Sequence, residues 1–284
     1  MPQKIISTHI IHAQKKGPTI LFLGAVHGNE KCGTRAMKRA IQSIVSRKIH
    51  LLKGKVVFVP IANPLAYRKN RHFVQENLNR IIKRTKHPRS YEARLANELC
   101  GLIEKADVVV DLHSMTAKGK PFYYLDVPNK KNRALGTILG PKLAVTGWPE
   151  LYRKLGRDDG TSDTVSYATR LGKLALILEC GQHGDPSATA VAYRAILNSL
   201  KHYGLIKGVV KPRTSKEVRV KDVFFRGSAR ERFSKNWNHF DFVKKGQSLI
   251  IDDSAVVVRA PYTGYIVMPN AKAPVADDWL YFGK

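Results

Sequence analysis

Cysteine is scarce in this 284-residue chain: there are three, Cys32, Cys100 and Cys180, far apart and with no C-x-x-C pair. That excludes a disulfide scaffold, and so sparse and odd a set suits a reducing cytoplasm. Long apolar runs are missing as well. None approaches the ~18 residues of a membrane span, and the opening stretch MPQKIISTHIIHAQKK lacks the apolar core of a secretory leader. The expectation is a soluble cytoplasmic protein with no membrane partner. Acids are the third shortage, with 22 Asp and Glu against 49 Lys and Arg, a formal charge of +27. The first hundred residues hold 20 basic and 4 acidic groups, whereas the second hundred hold 13 and 10. Such an excess attracts polyanions, anionic surfaces or acidic small molecules, and says nothing about fold. What is present is ordinary: 43% hydrophobic and 25% charged residues, the composition of a globular protein with enough chain for a substantial core.

Apolar runs alternate with helical patterns up to about residue 205. Ile20–Val26, Val56–Ala62, Val108–Leu112 and Leu174–Leu178 read as buried strands. Helices are expected near Gly33–Arg47, over Ser90–Lys105 with Ser90 as N-cap, and from Asp185 to about Tyr203 with Pro186 in the first turn. Uniformly apolar strands separated by helices predict an α/β sheet covered on both faces. Beyond Gly208 only short strand candidates remain: Val218–Phe225, Ser248–Ile251, Ala255–Arg259, Gly264–Met268 and Trp279–Phe282. Two domains are expected, over residues 1–208 and 209–284, the second small and all-β.

The chemistry lies at the strand ends. ILFLGAV runs into His27-Gly-Asn-Glu30, VVFVPIA into Asn63-Pro64, VVVDL into His113-Ser114 and LALIL into Glu179. In open α/β sheets ligands bind outside the carboxyl ends of the strands, so neighbouring strands would bring these groups together. His27, Glu30 and His113 form a His₂Glu set, the ligand type of a catalytic zinc that leaves a position open. Each of the three also has an ordinary reading, as a turn histidine, a first-turn helix acid or a strand-end hydrogen-bonder. Glu179 ends a run so apolar that its desolvation calls for a partner or a task, and beside a metal-activated water that task is general base and then proton donor. A salt bridge to one of the many Lys and Arg is the structural alternative.

Together GAVHGNE, NPLAYRKNR, ENLNR, VVVDLHS and LILECG resemble, in order and approximate spacing, the succinylglutamate desuccinylase/aspartoacylase family, related to the zinc carboxypeptidases. The resemblance covers most of residues 18–200. It implies a mixed sheet flanked by helices with one zinc ion on His27, Glu30 and His113, and Glu179 as catalytic base. It further implies Asn79 and Arg80 as holders of a substrate carboxylate, and Arg71 as the group polarising the scissile carbonyl. Arg and Asn donors suit a carboxylate, and a second Arg suits a developing oxyanion. The alternative for Arg71 and Arg80 is a solvated surface cation.

There are departures: Asn77 stands where the family often has an acid, Ile81-Ile82-Lys83 replaces a Phe-Pro-Gly stretch, and Arg170 is one residue nearer the catalytic acid than the family's additional substrate-binding Arg. Arg170 is accordingly the weakest member of the set and reads first as a helix C-terminal cation. KKGQSLIIDDSAVVVRAPYTGYIVMPN is similar to the C-terminal half-barrel of bacterial members, a wall for the cleft, without a lysine at Met268-Pro269-Asn270 to carry a prosthetic group. Tyr262 and Tyr265 read first as strand aromatics that pack.

The expected activity is hydrolysis of an amide in a small, carboxylate-bearing N-acyl amino acid. A carboxypeptidase-like or cell-wall peptide hydrolase is the alternative on the same fold. A basic nucleic-acid-binding protein with an inactive site is the alternative from another class, and no nucleic-acid-reading motif supports it. The expected partner is a small anionic substrate, with no specific nucleic acid; monomer and homo-oligomer are equally compatible with the sequence. Arg35–Arg39 and Arg68–Arg89 hold much of the positive charge, and the second cluster brackets the expected substrate clamp, where it would steer anions.

Overall fold

The computed structural model describes residues 4–126, 130–156, 162–253 and 255–284. Four parallel strands form its centre: β2 (Thr19–Gly24), β3 (Lys55–Val59), β4 (Val108–Met115) and β7 (Leu174–Gln182), hydrogen-bonded in the order β3-β2-β4-β7. Every residue of β4 is buried, which is why it opens on Val108, Val109 and Val110 without alternation, and its Asp111, His113 and Ser114 are polar groups held inside. β1 (His9–His12) adds antiparallel to β3. On the other side β5 (Phe122–Tyr124) pairs antiparallel with β7, and β6 (Leu143–Thr146) pairs parallel with β5.

Helices cover both faces. α1 (Cys32–Val45), α4 (Lys130–Leu139) and α7 (Pro186–His202) enclose one core with Phe22, Phe58 and Leu176. α1 turns Ala36, Met37, Ala40 and Ile44 inward while Arg35, Lys38 and Arg39 face solvent. α3 (Tyr91–Ile103) and α6 (Thr164–Arg170) cover the other face over Leu21, Leu23 and Val109. Two shorter helices, α2 (Pro64–Arg68) and α5 (Trp148–Lys154), and a single 3₁₀ turn at Leu78–Arg80 complete this part. Side-chain caps fix the starts: Ser90 Oγ accepts from Ala93 N at 3.0 Å, and Asp185 Oδ1 from Ser187 N at 2.7 Å.

The C-terminal strands divide between the large sheet and a smaller one. β8 (Lys216–Phe225) pairs parallel with β6, and β14 (Asp278–Gly283), β13 (Gly264–Val267) and β10 (Phe242–Val243) follow it antiparallel, so one sheet of eleven strands crosses residue 208. β9 (Glu231–Phe233), β11 (Ser248–Asp252) and β12 (Ala255–Arg259) make a separate three-stranded antiparallel sheet. Trp237, Leu249, Trp279 and Phe282 fill the core between the two sheets. Tyr262 and Tyr265 belong to this region: Tyr262 donates to Asp222 Oδ2 at 2.6 Å, and Tyr265 lies beneath the Lys216 ammonium. No helix among the described residues is long and apolar enough to cross a membrane.

Candidate active site

Three adjacent strand ends build the site. β2 delivers the loop carrying His27 and Glu30, and the parallel register sets Gly24 beside Leu112 and His113 beside Glu179. Residues two apart on a strand share a face, so Asp111 and His113 point one way while Leu112 packs the other way beneath Gly33. The loop after β2 is held closely. Gly28 N donates to His72 O at 3.1 Å, and a Cβ on Gly28 would stand 2.2 Å from the backbone carbon of Ala66. Gly28→Ala therefore has to displace the start of α2, and it is expected to lower stability by about 1–3 kcal/mol. Thermal or urea unfolding checks this, and an unchanged midpoint would refute the close approach.

Glu30 is the hub. His27 Nδ1 lies 2.9 Å from Oε1, His113 Nδ1 lies 3.0 Å from Oε2, and Ser114 N donates to Oε2 at 2.9 Å. Burial alone would raise the Glu30 carboxyl, but His27 and His113 on either side outweigh it and hold it well below the usual carboxylate range. Burial likewise opposes a proton on His113, and Asp111 with Glu30 lifts it well above an ordinary imidazole. The far nitrogen of each imidazole faces an oxygen: His27 Nε2 is 3.1 Å from Asn77 Oδ1, and His113 Nε2 is 3.0 Å from Asp111 Oδ2. Thr164 Oγ1 donates to that same Asp111 oxygen at 2.6 Å.

His72 was not singled out from the sequence. Its ring stacks on His27 with centroids 3.6 Å apart, and the ligand atoms of His27, Glu30 and His72 all lie within 4.8 Å of one another. Its side chain is still 43% exposed; the water lost where it packs on His27, with the His27 charge beside it, pushes His72 down to about 3. Glu179 is 4% exposed and its Oε2 has no hydrogen-bond partner among the described residues. Burial, reinforced by the nearby Glu30 charge, pushes its carboxyl well above the usual range.

Donor chemistry is the test of whether this cluster fits a metal. Two or three imidazole nitrogens and a carboxylate converge, and two of the rings have an oxygen about 3 Å from the outer nitrogen, hydrogen-bonded for His27 and only near for His113, where metal-binding histidines keep an acceptor. The residues fit.

The remaining expected residues are placed unevenly. Asn79 is buried in the 3₁₀ turn; its Oδ1 accepts from Thr164 N at 3.1 Å, which leaves the amide nitrogen to donate. Arg80 donates from Nη1 to Asn79 O at 3.0 Å. Arg80 keeps an exposed surface; the protein packed around its guanidinium works against the charge, while Tyr152, Asp163, Tyr281 and Tyr124 raise its pKa. Arg71 is exposed and adjoins His72, with its backbone tied to Ala66 O at 3.0 Å. Arg170 is not brought to this cluster. It ends α6, four residues before β7 begins, at the opposite end of the sheet from Glu179, and its guanidinium lies 5.9 Å from the Tyr167 ring centroid. The physical reason is the direction of α6, which starts beside Asn79 and Asp111 and runs back toward the amino end of β7.

The C-terminal strands reach the same side of the sheet. Tyr124 donates to Met268 Sδ at 2.8 Å, and His239 packs 4.4 Å from Phe122, the residue opposite Glu179.

Comparison with known proteins finds relatives both by sequence and by fold. The family model described as the succinylglutamate desuccinylase/aspartoacylase catalytic domain matches residues 16–203. The N-alpha-acetyl-L-2,4-diaminobutyric acid deacetylase of Halomonas elongata is 29% identical over 208 residues, 68% of this chain and 57% of that enzyme, so the match spans little more than half of the relative's length. Among solved structures, the product-bound ectoine utilization protein EutE (DoeB) from Ruegeria pomeroyi superposes with a TM-score of 0.78 at 21% identity, covering 97% of this chain and 88% of the other. A succinylglutamate desuccinylase from Silicibacter sp. TM1040 gives a TM-score of 0.79 at 21% identity, covering 98% and 88%.

Proposed function

Because the chain belongs to the succinylglutamate desuccinylase/aspartoacylase family, a family of deacylases, we propose that it is a zinc-dependent hydrolase acting on the amide of a small N-acyl amino acid. One observation carries the reading: Glu179, buried and with Oε2 unpartnered among the described residues, stands beside His113 in a cluster that also holds His27 and Glu30. His27, Glu30 and His113 would hold the ion. Zinc bound there would polarise the scissile carbonyl and make water acidic enough to attack near neutral pH. His113 is the third ligand in preference to His72 because it sits on a fully buried strand with Asp111 against its outer nitrogen, whereas His72 lies on an exposed loop.

Glu179 Oε2 takes the proton of the attacking water and returns it to the leaving amine, the transfer for which an elevated carboxyl is suited. The Arg80 guanidinium and the Asn79 amide nitrogen bind the substrate carboxylate, and Arg71 lies on the neighbouring loop to stabilise charge growing on the carbonyl oxygen. The Halomonas relative is named for removing an acetyl group, which makes acetyl the first acyl group to test here.

The test is hydrolysis of a panel of N-acetyl and N-succinyl amino acids by the zinc-loaded enzyme, with short peptides alongside. Turnover of an N-acyl amino acid is expected, and cleavage of peptides alone would assign the site to a peptidase. On the best substrate, Arg80→Ala is expected to raise KM about 10- to 100-fold, the range for a charged hydrogen-bonding contact. An unchanged KM would remove Arg80 from the clamp.

A further inference from the structure

The two faces of the catalytic sheet differ in charge. α1, α4 and α7 read CGTRAMKRAIQSIV, KKNRALGTIL and PSATAVAYRAILNSLKH: eight Lys and Arg and not one Asp or Glu. They form a single surface. The Arg39 guanidinium lies 4.2 Å from the centroid of the Tyr193 ring, joining α1 to α7, and Asn198 Nδ2 donates to Ile138 O at 2.8 Å, joining α7 to α4. Arg35, Lys38, Lys131 and Arg194 are exposed on it. Among the described residues only Arg133 of the eight has an acidic partner, Glu217. On the opposite face acids and bases are mixed: α3 carries Glu92, Arg94 and Glu98, and Arg84 pairs with Glu104 at 2.5 Å.

Eight like charges on adjacent helices repel one another and lower stability, a cost that an anionic partner offsets. The proposed reaction does not account for them. Arg194 stands eight residues along α7 from Pro186, about 12 Å of helix and more than a Debye length of about 8 Å beyond the turn that follows β7, so it steers a small substrate weakly. A 17-residue helix such as α7 is about 25 Å long, long enough to follow several phosphates. The chemistry separates the possible polyanions. A membrane-surface helix presents large apolar side chains for insertion, and the only exposed large hydrophobic residue in these three helices is Val45. A guanidinium stacked on tyrosine, as in Arg39 and Tyr193, is a platform suited to nucleobases and phosphates.

We propose that the α1–α4–α7 layer docks the phosphodiester backbone of a nucleic acid, independently of base sequence and separately from the catalytic cleft.

The full chain is titrated with labelled 20-nucleotide RNA and DNA single strands by fluorescence anisotropy at several salt concentrations, and with vesicles of phosphatidylglycerol and phosphatidylcholine by sedimentation. Arg35→Glu, Lys38→Glu and Arg194→Glu together should weaken nucleic-acid binding about tenfold or more, and flatten the slope of log affinity against log salt by about 2 for three lost phosphate contacts. Lys244→Glu, Lys245→Glu and Lys272→Glu together change the net charge equally, on exposed turns between the C-terminal strands, and they should leave affinity within about threefold. The corresponding Gln substitutions at Arg35, Lys38 and Arg194 serve if the reversed charges disturb folding. Equal loss in both sets would reduce the effect to net charge and overturn the proposal. So would absence of binding by the parent protein, or binding to vesicles but not to nucleic acid.

Discussion

Glu179→Gln is expected to lower kcat by roughly 10²–10⁴-fold, the usual contribution of a general base, while metal content and melting temperature stay close to those of the parent. Gln keeps the shape of the side chain and its place beside His113, but it has no basic oxygen to accept a proton from water. The size of the effect follows from the setting: the carboxyl is buried, and the hydrogen bonds of the described residues do not engage Oε2. A structural Glu in so apolar a place would have its charge answered by Lys or Arg, and its loss would appear as lost stability. Steady-state kinetics with metal analysis therefore separates the two roles. Full turnover by the variant would end the assignment of Glu179 as base.

His113→Ala and Glu30→Gln are expected to abolish both stoichiometric zinc and activity, whereas His72→Ala should retain the ion. Asp111→Asn is the graded member of the series. It touches no ion directly but withdraws the carboxylate 3.0 Å from His113 Nε2, and loss of such an outer partner costs about 10- to 100-fold in metal affinity. Removing a ligand should cost well over about 100-fold. Equilibrium dialysis with a competing chelator measures all four. Retention of zinc by His113→Ala together with its loss in His72→Ala would transfer the centre to His27, Glu30 and His72, whose ligand atoms also lie within 4.8 Å of one another.

What could be read from the sequence was whatever is local. The four central strands each carry an apolar run because both faces are covered, and Ser90 and Asp185 mark helix starts because their side chains satisfy the first free amides. His27 and Glu30 were legible because three residues separate them, and Glu179 because an acid after LALIL is conspicuous. Asp111 stood in the same situation inside VVVDL and was open to the same argument. His72 and Thr164 offered no such signal. His72 meets His27 only because Gly28 N bonds His72 O, and Thr164 meets Asp111 only through the path of α6. Strands as short as β5 and β6, three and four residues long, leave no periodicity to detect. Arg170 ends α6 as a C-terminal cation, since nearness in sequence to Glu179 says nothing about which end of a strand a residue occupies.

The pairing of β8 with β6 has a consequence for how the sheet ends. A parallel sheet that stopped at β6 would expose a row of free amides and carbonyls, an edge at which a second molecule could add. Here that edge is occupied by the chain's own C-terminal strands, while β1 lies antiparallel along β3 at the other side. The C-terminal strands thus carry the edge of the sheet away from the catalytic strands to β10, which at two residues offers a second molecule little to pair with.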